Sequence, residues 1–490
     1  MAGLSTVQIA IICICTMNGP GLVTLPGAFH QGGVVATLVL LAMIAWATVF
    51  TCDRVVMVLA WAKRQQKRSK RTPQQSIAGT YAGLRLRLRR RQDTDDPTAG
   101  GALEFPSLAA LVAGGASPAP ERITAALLAL CLQSLALAQM VLCAQAADAL
   151  LVWAGGASAA VGYGPSNFAR VAWSSSLALR PFAGAGPGSA TLLSGGFVLA
   201  ACAAVLLGRL DLSEAFAVHA ASLALLCGAV LRFLAAFLSD MRHAGFPSEG
   251  VVVGPAPIAS LGSIVFNFAF VVAIPSLVAD KRPNADVGRA ASRATTFMAF
   301  VYAFVGSLGF FAGASGDNFV ASRLQRADGA AATADVLAFF AWAFSQLLAI
   351  PVYCELAKRL LLAQGWTPRG AYLGGTVAPW ALAALLYQRD AFGAIVDAAA
   401  LFVLGFANYT VPLVLDVQRR LLEQHRPKTL AGMWALVRSD RGAAASAAVC
   451  AGLTALAVVA ISHWGGVDAI QTAGNVLFCL SVTVAFSIMW

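Results

Sequence analysis

The sequence predicts an all-α integral membrane protein of about 11 transmembrane helices, built as a 5+5 inverted repeat with interrupted helices 1 and 6. Three observations predict it. Mean hydropathy is +0.73, with 59% hydrophobic and only 12% charged residues. A water-soluble chain could not hide that much apolar surface in its own core, so the bilayer has to serve as part of the solvent. Apolar runs near 5–31, 34–61, 123–150, 189–208, 213–239, 257–280, 293–314, 333–357, 370–387, 391–416 and 443–464 approach or exceed the ~20 residues that a crossing requires. Finally, the basic residues alternate from loop to loop. With a cytoplasmic N-terminus, the cytoplasmic loops hold 26 of the 34 Lys and Arg and the opposite loops 6, while Arg54 and Arg232 fall within spans. This is the positive-inside bias, and a missed helix would scramble it.

Each remaining segment has an expected place. The net charge of +11 resides in loops between spans, which speaks for topology and against nucleic-acid binding. Most of the ten Cys lie inside apolar runs, with no CxxC pair and no His/Cys cluster, so they read as small buried hydrophobes and neither metal nor cofactor is expected. The stretch from Leu4 to Phe29 lacks a basic leader region and reads as a true span. Residues 63–100 form a basic cytoplasmic insert, expected to be solvated, whose cluster at 63–91 suits anionic lipid headgroups. Residues 151–188 are rich in Gly, Ala, Ser and Pro and are expected to form an irregular loop on the other face. The run 474–490 is either a twelfth crossing or part of one.

The first span carries the most information. It contains Thr16-Met17-Asn18-Gly19-Pro20-Gly21-Leu22. Pro20 removes a backbone donor and clashes with the preceding turn, and Gly19 and Gly21 weaken the helix further. Inside a bilayer such a break survives only where protein, ligand or water satisfies the freed backbone groups. The half-helix beginning near Gly21 offers bare N–H groups suited to a carboxylate, and the preceding half-helix ends in carbonyls suited to an ammonium or a cation. A simple proline kink is the plainer reading of this motif alone. The sixth span strengthens the sharper one, because Asn267 lies mid-span between Phe266 and Phe268, and Pro275 follows. Repeats of about 5–240 and 257–417 would place the two interruptions at matching positions, which points to a substrate site at the midplane. Residues 418–490 then hold helix 11 and the last apolar run.

Asn18-Gly19-Pro20-Gly21-Leu22-Val23-Thr24-Leu25-Pro26-Gly27-Ala28-Phe29 resembles the first-helix signature of the amino acid/auxin permease (AAAP) family of the APC superfamily, departing at Gly27, where the family often has Tyr. Phe105-Pro106-Ser107-Leu108 with Gly114, Phe268-Ala269-Phe270 with Ile274-Pro275 and Lys281-Arg282-Pro283, the stretch Gly306 to Phe319, and Phe392 to Pro412 resemble later family segments. The resemblance covers roughly 5–417. It implies the leucine-transporter-type fold and symport or exchange of amino acids, commonly proton-coupled and in some members sodium-coupled. It also implies substrate held between helices 1 and 6 beside helices 3, 8 and 10. By position, the backbone of Met17 to Leu22, with Thr16 before it, would receive the carboxylate and amine, and Phe266, Asn267, Phe268 and Phe270 would form the other wall. Gln139, Asn408 and Tyr409 lie at plausible depth, although hydrogen bonding between helices is an equal account of these three.

For the coupling ion, sodium-coupled relatives use a hydroxyl near a proline in helix 8. Leu347 to Pro351 offers none, and Ser345 lies further up. Among ionisable residues in or near spans, Asp397 is the preferred proton carrier, with His219 another candidate. Asp148 and Glu355 stand near span ends within reach of headgroups, and His30 reads as an interface histidine. The expected function is therefore proton-coupled transport of neutral amino acids by alternating access, in the plasma membrane or a vacuolar or lysosomal-type membrane. A transport-incompetent amino acid sensor of the same fold and sodium-coupled symport are the alternatives. Scattered single histidines with no paired motif speak against an enzyme.

Overall fold

The computed structural model describes residues 3–71, 103–112, 119–164, 167–175, 182, 191–210, 216–244, 252–256, 260–314, 329–387, 403–425 and 429–464. Asp397, Gly114, the Gly316-Asp317-Asn318 exit, most of the basic insert and the run 474–490 lie outside these.

The first span starts as α1 (Thr6–Met17), with a capping box in which Ser5 Oγ accepts from Gln8 N and Gln8 Oε1 accepts from Ser5 N. It ends where the sequence demands, passes through a 3-10 turn (Pro20–Thr24) and resumes as α2 (Leu25–Gly32), the two halves bent by 55°. α3 (Val34–Arg71), the short α4 (Phe105–Val112) and α5 (Ala119–Gly155) follow. Next come strands β1 (Ser158–Gly164), β2 (Asn167–Ser174) and β3 (Thr191–Ser194), then α6 (Gly195–Leu207) and α7 (Phe216–Ala244). The second half repeats the opening device. α8 (Ser260–Asn267) breaks over Phe268 to Phe270, passes a 3-10 turn at Val271–Ala273 and resumes as α9 (Ile274–Asp280). α10 (Val287–Phe311), α11 (Gly329–Ala363), α12 (Pro368–Tyr372), α13 (Ala378–Leu386), α14 (Val411–Glu423), α15 (Leu430–Ser439) and α16 (Arg441–Trp464) complete the order.

Among the described residues, six helices are each long and apolar enough to cross a membrane, and the bent α1–α2 pair makes up to seven. α6, α13, α14 and α16 coincide with other expected spans but are not among those seven.

The interrupted spans form the centre. α1 packs against α10 and α7, α2 against α8 and α10, and α11 against α5 and α7. The second half of the permease-like signature has a packing role. Phe29 and Pro26 press onto α10 at Gly306 and Gly309, where an added Cβ would lie 2.5 Å from Phe29 Cδ2 and from Pro26 Cγ. Only glycine permits that approach.

One expectation is corrected. The stretch 151–188 is not wholly irregular, because β1 pairs antiparallel with both β2 and β3 in a three-stranded sheet of order β2-β1-β3. β-branched and aromatic residues at Tyr163, Phe168, Val171 and Trp173 supply strand propensity that the Gly and Ala content obscures.

Candidate functional site at the paired helix breaks

The two interruptions meet. Gly21 lies against the Asn267 side chain so closely that a Cβ on it would fall 2.6 Å from Nδ2, and Gly19 faces Phe266 and Asn267 at ordinary contact distance. Thr16, Met17, Asn18, Leu22, Phe266, Asn267, Phe268 and Phe270 are all buried. The side chains of Thr16, Asn18, Asn267 and Gln139 are polar but uncharged.

The carbonyls at the end of α1 do not all remain bare. Tyr353 of α11 donates to Thr16 O at 2.5 Å. Tyr302 of α10 donates to Met17 O and, at 3.3 Å, to Asn267 O, so one phenol links both breaks. Gln139 Nε2 of α5 reaches Asn18 O at 3.5 Å. The two tyrosines were missed from sequence. The usable signal was a phenol deep in an apolar helix, since a buried Tyr O–H generally finds an acceptor.

The side-chain amides are different. Asn18 Nδ2 donates to Ser345 Oγ at 2.8 Å, and Ser345 Oγ donates in turn to Trp342 O at 2.6 Å. Asn18 Oδ1, Gln139 Oε1 and both polar atoms of Asn267 have no hydrogen-bond partner among the described residues. Buried polar atoms without partners are rare, and each one left so costs roughly 1–3 kcal/mol. Other buried polar atoms lack partners too, but four of them, on three amides, gather around one pair of breaks.

Asn408 is accounted for otherwise. Its Oδ1 accepts Val272 N at 3.3 Å and its Nδ2 donates to Leu404 O at 3.0 Å, so it ties the second break to the helix beside it. Tyr409 OH shares a hydrogen bond with Thr48 Oγ1 at 2.9 Å. Both are committed between helices.

The end of the site nearest the chain start is closed by main-chain and ionic links. Leu4 N donates to Asp280 O at 2.8 Å, Arg282 N donates to Leu4 O at 2.9 Å, and Arg359 bridges Asp280 and Glu355 at 2.8 and 2.7 Å. Glu355 is thus buried between Arg359 and Lys358, which corrects its expected place among headgroups. Glu104 receives the Ser276 hydroxyl at 2.6 Å. Burial raises its carboxyl above the usual glutamate value, Asp280 and Glu355 add to the rise, and the Ser276 hydrogen bond and Arg359 oppose it.

Asp148 is corrected likewise. It is buried and accepts hydrogen bonds from Ser158, Ser194 and Tyr387, and from Gly196 N at 2.9 Å. The β-sheet brings two of these donors, so the residue joins α5, the sheet and the end of α13.

Residues 2–84 match the family model described as transmembrane amino acid transporter protein. The family resemblance of the first span is therefore shown on the stretch that carries it. No curated protein matches. The fold also resembles solved transporters. A manganese transporter of Eremococcus coleocola, as its H236A mutant, aligns with TM-score 0.54 and 12% identity over 99% of this chain and 94% of that one. The same transporter bound to an aromatic bis-isothiourea compound aligns with TM-score 0.52, at the same identity and coverage. At that identity the likeness shows the fold alone. Family match and fold together support a multi-pass membrane transporter.

Proposed function

We propose that this chain is a secondary transporter that holds a neutral amino acid between its two interrupted spans and moves it by alternating access, driven by protons. The observation that carries this reading is the set of orphaned amides at Asn18, Asn267 and Gln139 where Gly21 meets α8. A zwitterion supplies the missing partners. Its ammonium can donate to Asn18 Oδ1, Gln139 Oε1 and Asn267 Oδ1, and its carboxylate can accept from Asn267 Nδ2 and from the N–H groups opening the turn after Pro20. The guest brings both charges and they cancel, so a site without ionised side chains suits it. Phe266, Phe268 and Phe270 make an apolar wall, which favours neutral over charged side chains.

Ser345 and Asp397 remain coupling candidates. Ser345 accepts from Asn18 and so borders the site, where it also fits the sodium-coupled alternative. The related solved structures are named as manganese transporters. Among the described residues no group of three or more His, Cys, Asp or Glu could hold a metal ion, and the orphaned amides favour the amino acid.

The test is a thermal-shift screen of the purified protein against the common amino acids and Mn²⁺, followed by uptake into proteoliposomes. A bound ligand stabilises by mass action, so neutral amino acids should raise the midpoint. Uptake of none of them, with or without a proton gradient, would sink the proposal. A shift with Mn²⁺ alone would replace the substrate. Binding without transport, together with loss of a partner on deleting residues 63–100, would favour the sensor.

A further inference from the structure

A second orphan lies beside the first. His219, on α7, is fully buried, and neither ring nitrogen has a hydrogen-bond partner among the described residues. It lies on the helix that packs against both α1 and α11. Cys15, two residues before the α1 terminus, donates to His219 O at 3.3 Å. Ser222, one turn along α7, donates to Ser345 O at 2.9 Å, and Ser345 Oγ is the acceptor for Asn18. The main chain at His219 is thus tied to α1, and the next turn of α7 to α11, which places the unpaired ring in the α7 segment packed beside the first break.

The charged and titratable groups around it are committed elsewhere or are not charged. α1 presents the Cys15 thiol. From α10, the Tyr302 hydroxyl is held by Met17 O and Asn267 O. From α11, Tyr353 is held by Thr16 O, Glu355 by Lys358 and Arg359, and Asp335 by Arg232 in the middle of α7. α7 itself adds Cys227, which is free of any disulfide.

A neutral imidazole has one donor and one acceptor, and leaving both unpaired in a dry interior is costly. An apolar side chain of similar size would relieve that cost, so packing alone does not explain a histidine here. Ionisable groups inside membrane spans mark ion pathways by default.

We propose that His219 carries the coupling proton. This rests on the transport reading above and gives its coupling proton to a residue of α7 in place of Asp397. In the closed arrangement the ring is shut off from water on both sides, as a coupled ion must be whenever the substrate is. When α1 separates from α7, water reaches the ring, one ring nitrogen takes a proton from hydronium, and imidazolium forms. When the ring is next hydrated on the other side, the same N–H bond breaks and the proton returns to water. Reburying an unpaired imidazolium against the Cys15 turn is costly, so closure depends on what the substrate site holds, and that dependence is the coupling.

The experiment uses full-length protein in proteoliposomes, comparing wild type with His219→Gln. Two assays are run: exchange of a labelled neutral amino acid with no gradient, and accumulation driven by a proton gradient. In the variant, accumulation is expected to fall at least tenfold more than exchange does, and the pH dependence of exchange should flatten. Accumulation and exchange falling together, or a wild-type pH profile in the variant, would overturn the proposal while leaving the transport reading intact. A wild type that exchanges amino acids but ignores the proton gradient would overturn the proposal together with the proton-driven part of the transport reading. A wild type that exchanges no amino acid at all would instead remove the transport reading. Should the variant fail to fold, diethyl pyrocarbonate labelling of the wild type, read by mass spectrometry at each of its five histidines, decides the matter. Labelling of His219 that changes with substrate supports the proposal, and no labelling during turnover refutes it.

Discussion

Two buried polar clusters in this protein follow opposite rules. At Asp148, four donors from four places in the chain converge on one carboxylate. At the paired breaks, amides on α5, on α8 and at the end of α1 leave Oδ1, Oε1 and Nδ2 atoms unpaired. A satisfied cluster in a low-dielectric interior is rigid, because each member would lose a partner if any other moved. An unsatisfied one is a cost that something else has to offset. The first therefore reads as architecture, fastening the small sheet to the bundle, and the second as a place for a ligand. An ionisable residue within a span is thus not in itself a site, since what its atoms already hold decides the matter.

The strongest challenge to this contrast is Asp148→Ala. It leaves three hydroxyls and a backbone N–H without their acceptor and should destabilise the protein by about 3 kcal/mol or more. Thermal unfolding would show a lowered midpoint, while amino acid affinity in the surviving folded fraction stays near wild type. A loss of affinity with little loss of stability would reverse the two roles.

Gly21→Ala comes next. A methyl within 2.6 Å of Asn267 Nδ2 must displace that amide from its place between the two breaks. Uptake should fall by more than about tenfold, equivalent to ~1.4 kcal/mol, with folding little changed. Wild-type uptake in this variant would show that the breaks do not need to meet.

Asn267→Leu sharpens the comparison further. Removing two orphaned atoms from an apolar surround should leave the ligand-free protein as stable as wild type or more so, yet weaken amino acid binding by about 1–2 kcal/mol, roughly tenfold. Thermal shifts with and without substrate separate the two effects, and a destabilised ligand-free protein would mean that Asn267 has a structural partner.

The smallest effect concerns the closed end. Because burial holds the Glu104 carboxyl above its unfolded value, its contribution to stability is fully present below the ordinary glutamate range and is lost as pH rises through the raised folded value. Acid should therefore relieve the cost of burying the charged Glu104, although it weakens the Ser276 hydrogen bond, which favours the carboxylate. Glu104→Gln should be neutral to mildly stabilising at pH 7, with the advantage over wild type disappearing as pH falls. Melting curves at several pH values check it, and an advantage that grows in acid would contradict it.

The broken helices were legible because their cause is local. Asn18-Gly19-Pro20-Gly21 cannot continue a helix whatever surrounds it, and Phe268 to Phe270 became suspect only by its place in the second repeat. Tyr302 and Tyr353 were not legible as site residues, because nothing near a tyrosine in sequence says which distant carbonyl its hydroxyl will meet. Glu355 and Asp148 were misplaced for the complementary reason. Their positions near helix ends suggested exposure, but the partners that bury them, such as Ser158, Ser194 and Tyr387, arrive from other elements.

By itself, then, the sequence determined what depends on composition and on neighbours along the chain. It marked a membrane-embedded helical protein and a first span forced open at one place, with a signature that the family match reproduces. Tertiary structure alone decided which amides were left wanting and which carboxylates were filled. Hydrogen bonds act over about 3 Å and saturate, so whether a polar atom is spare depends on which helices reach it and not on the residues beside it.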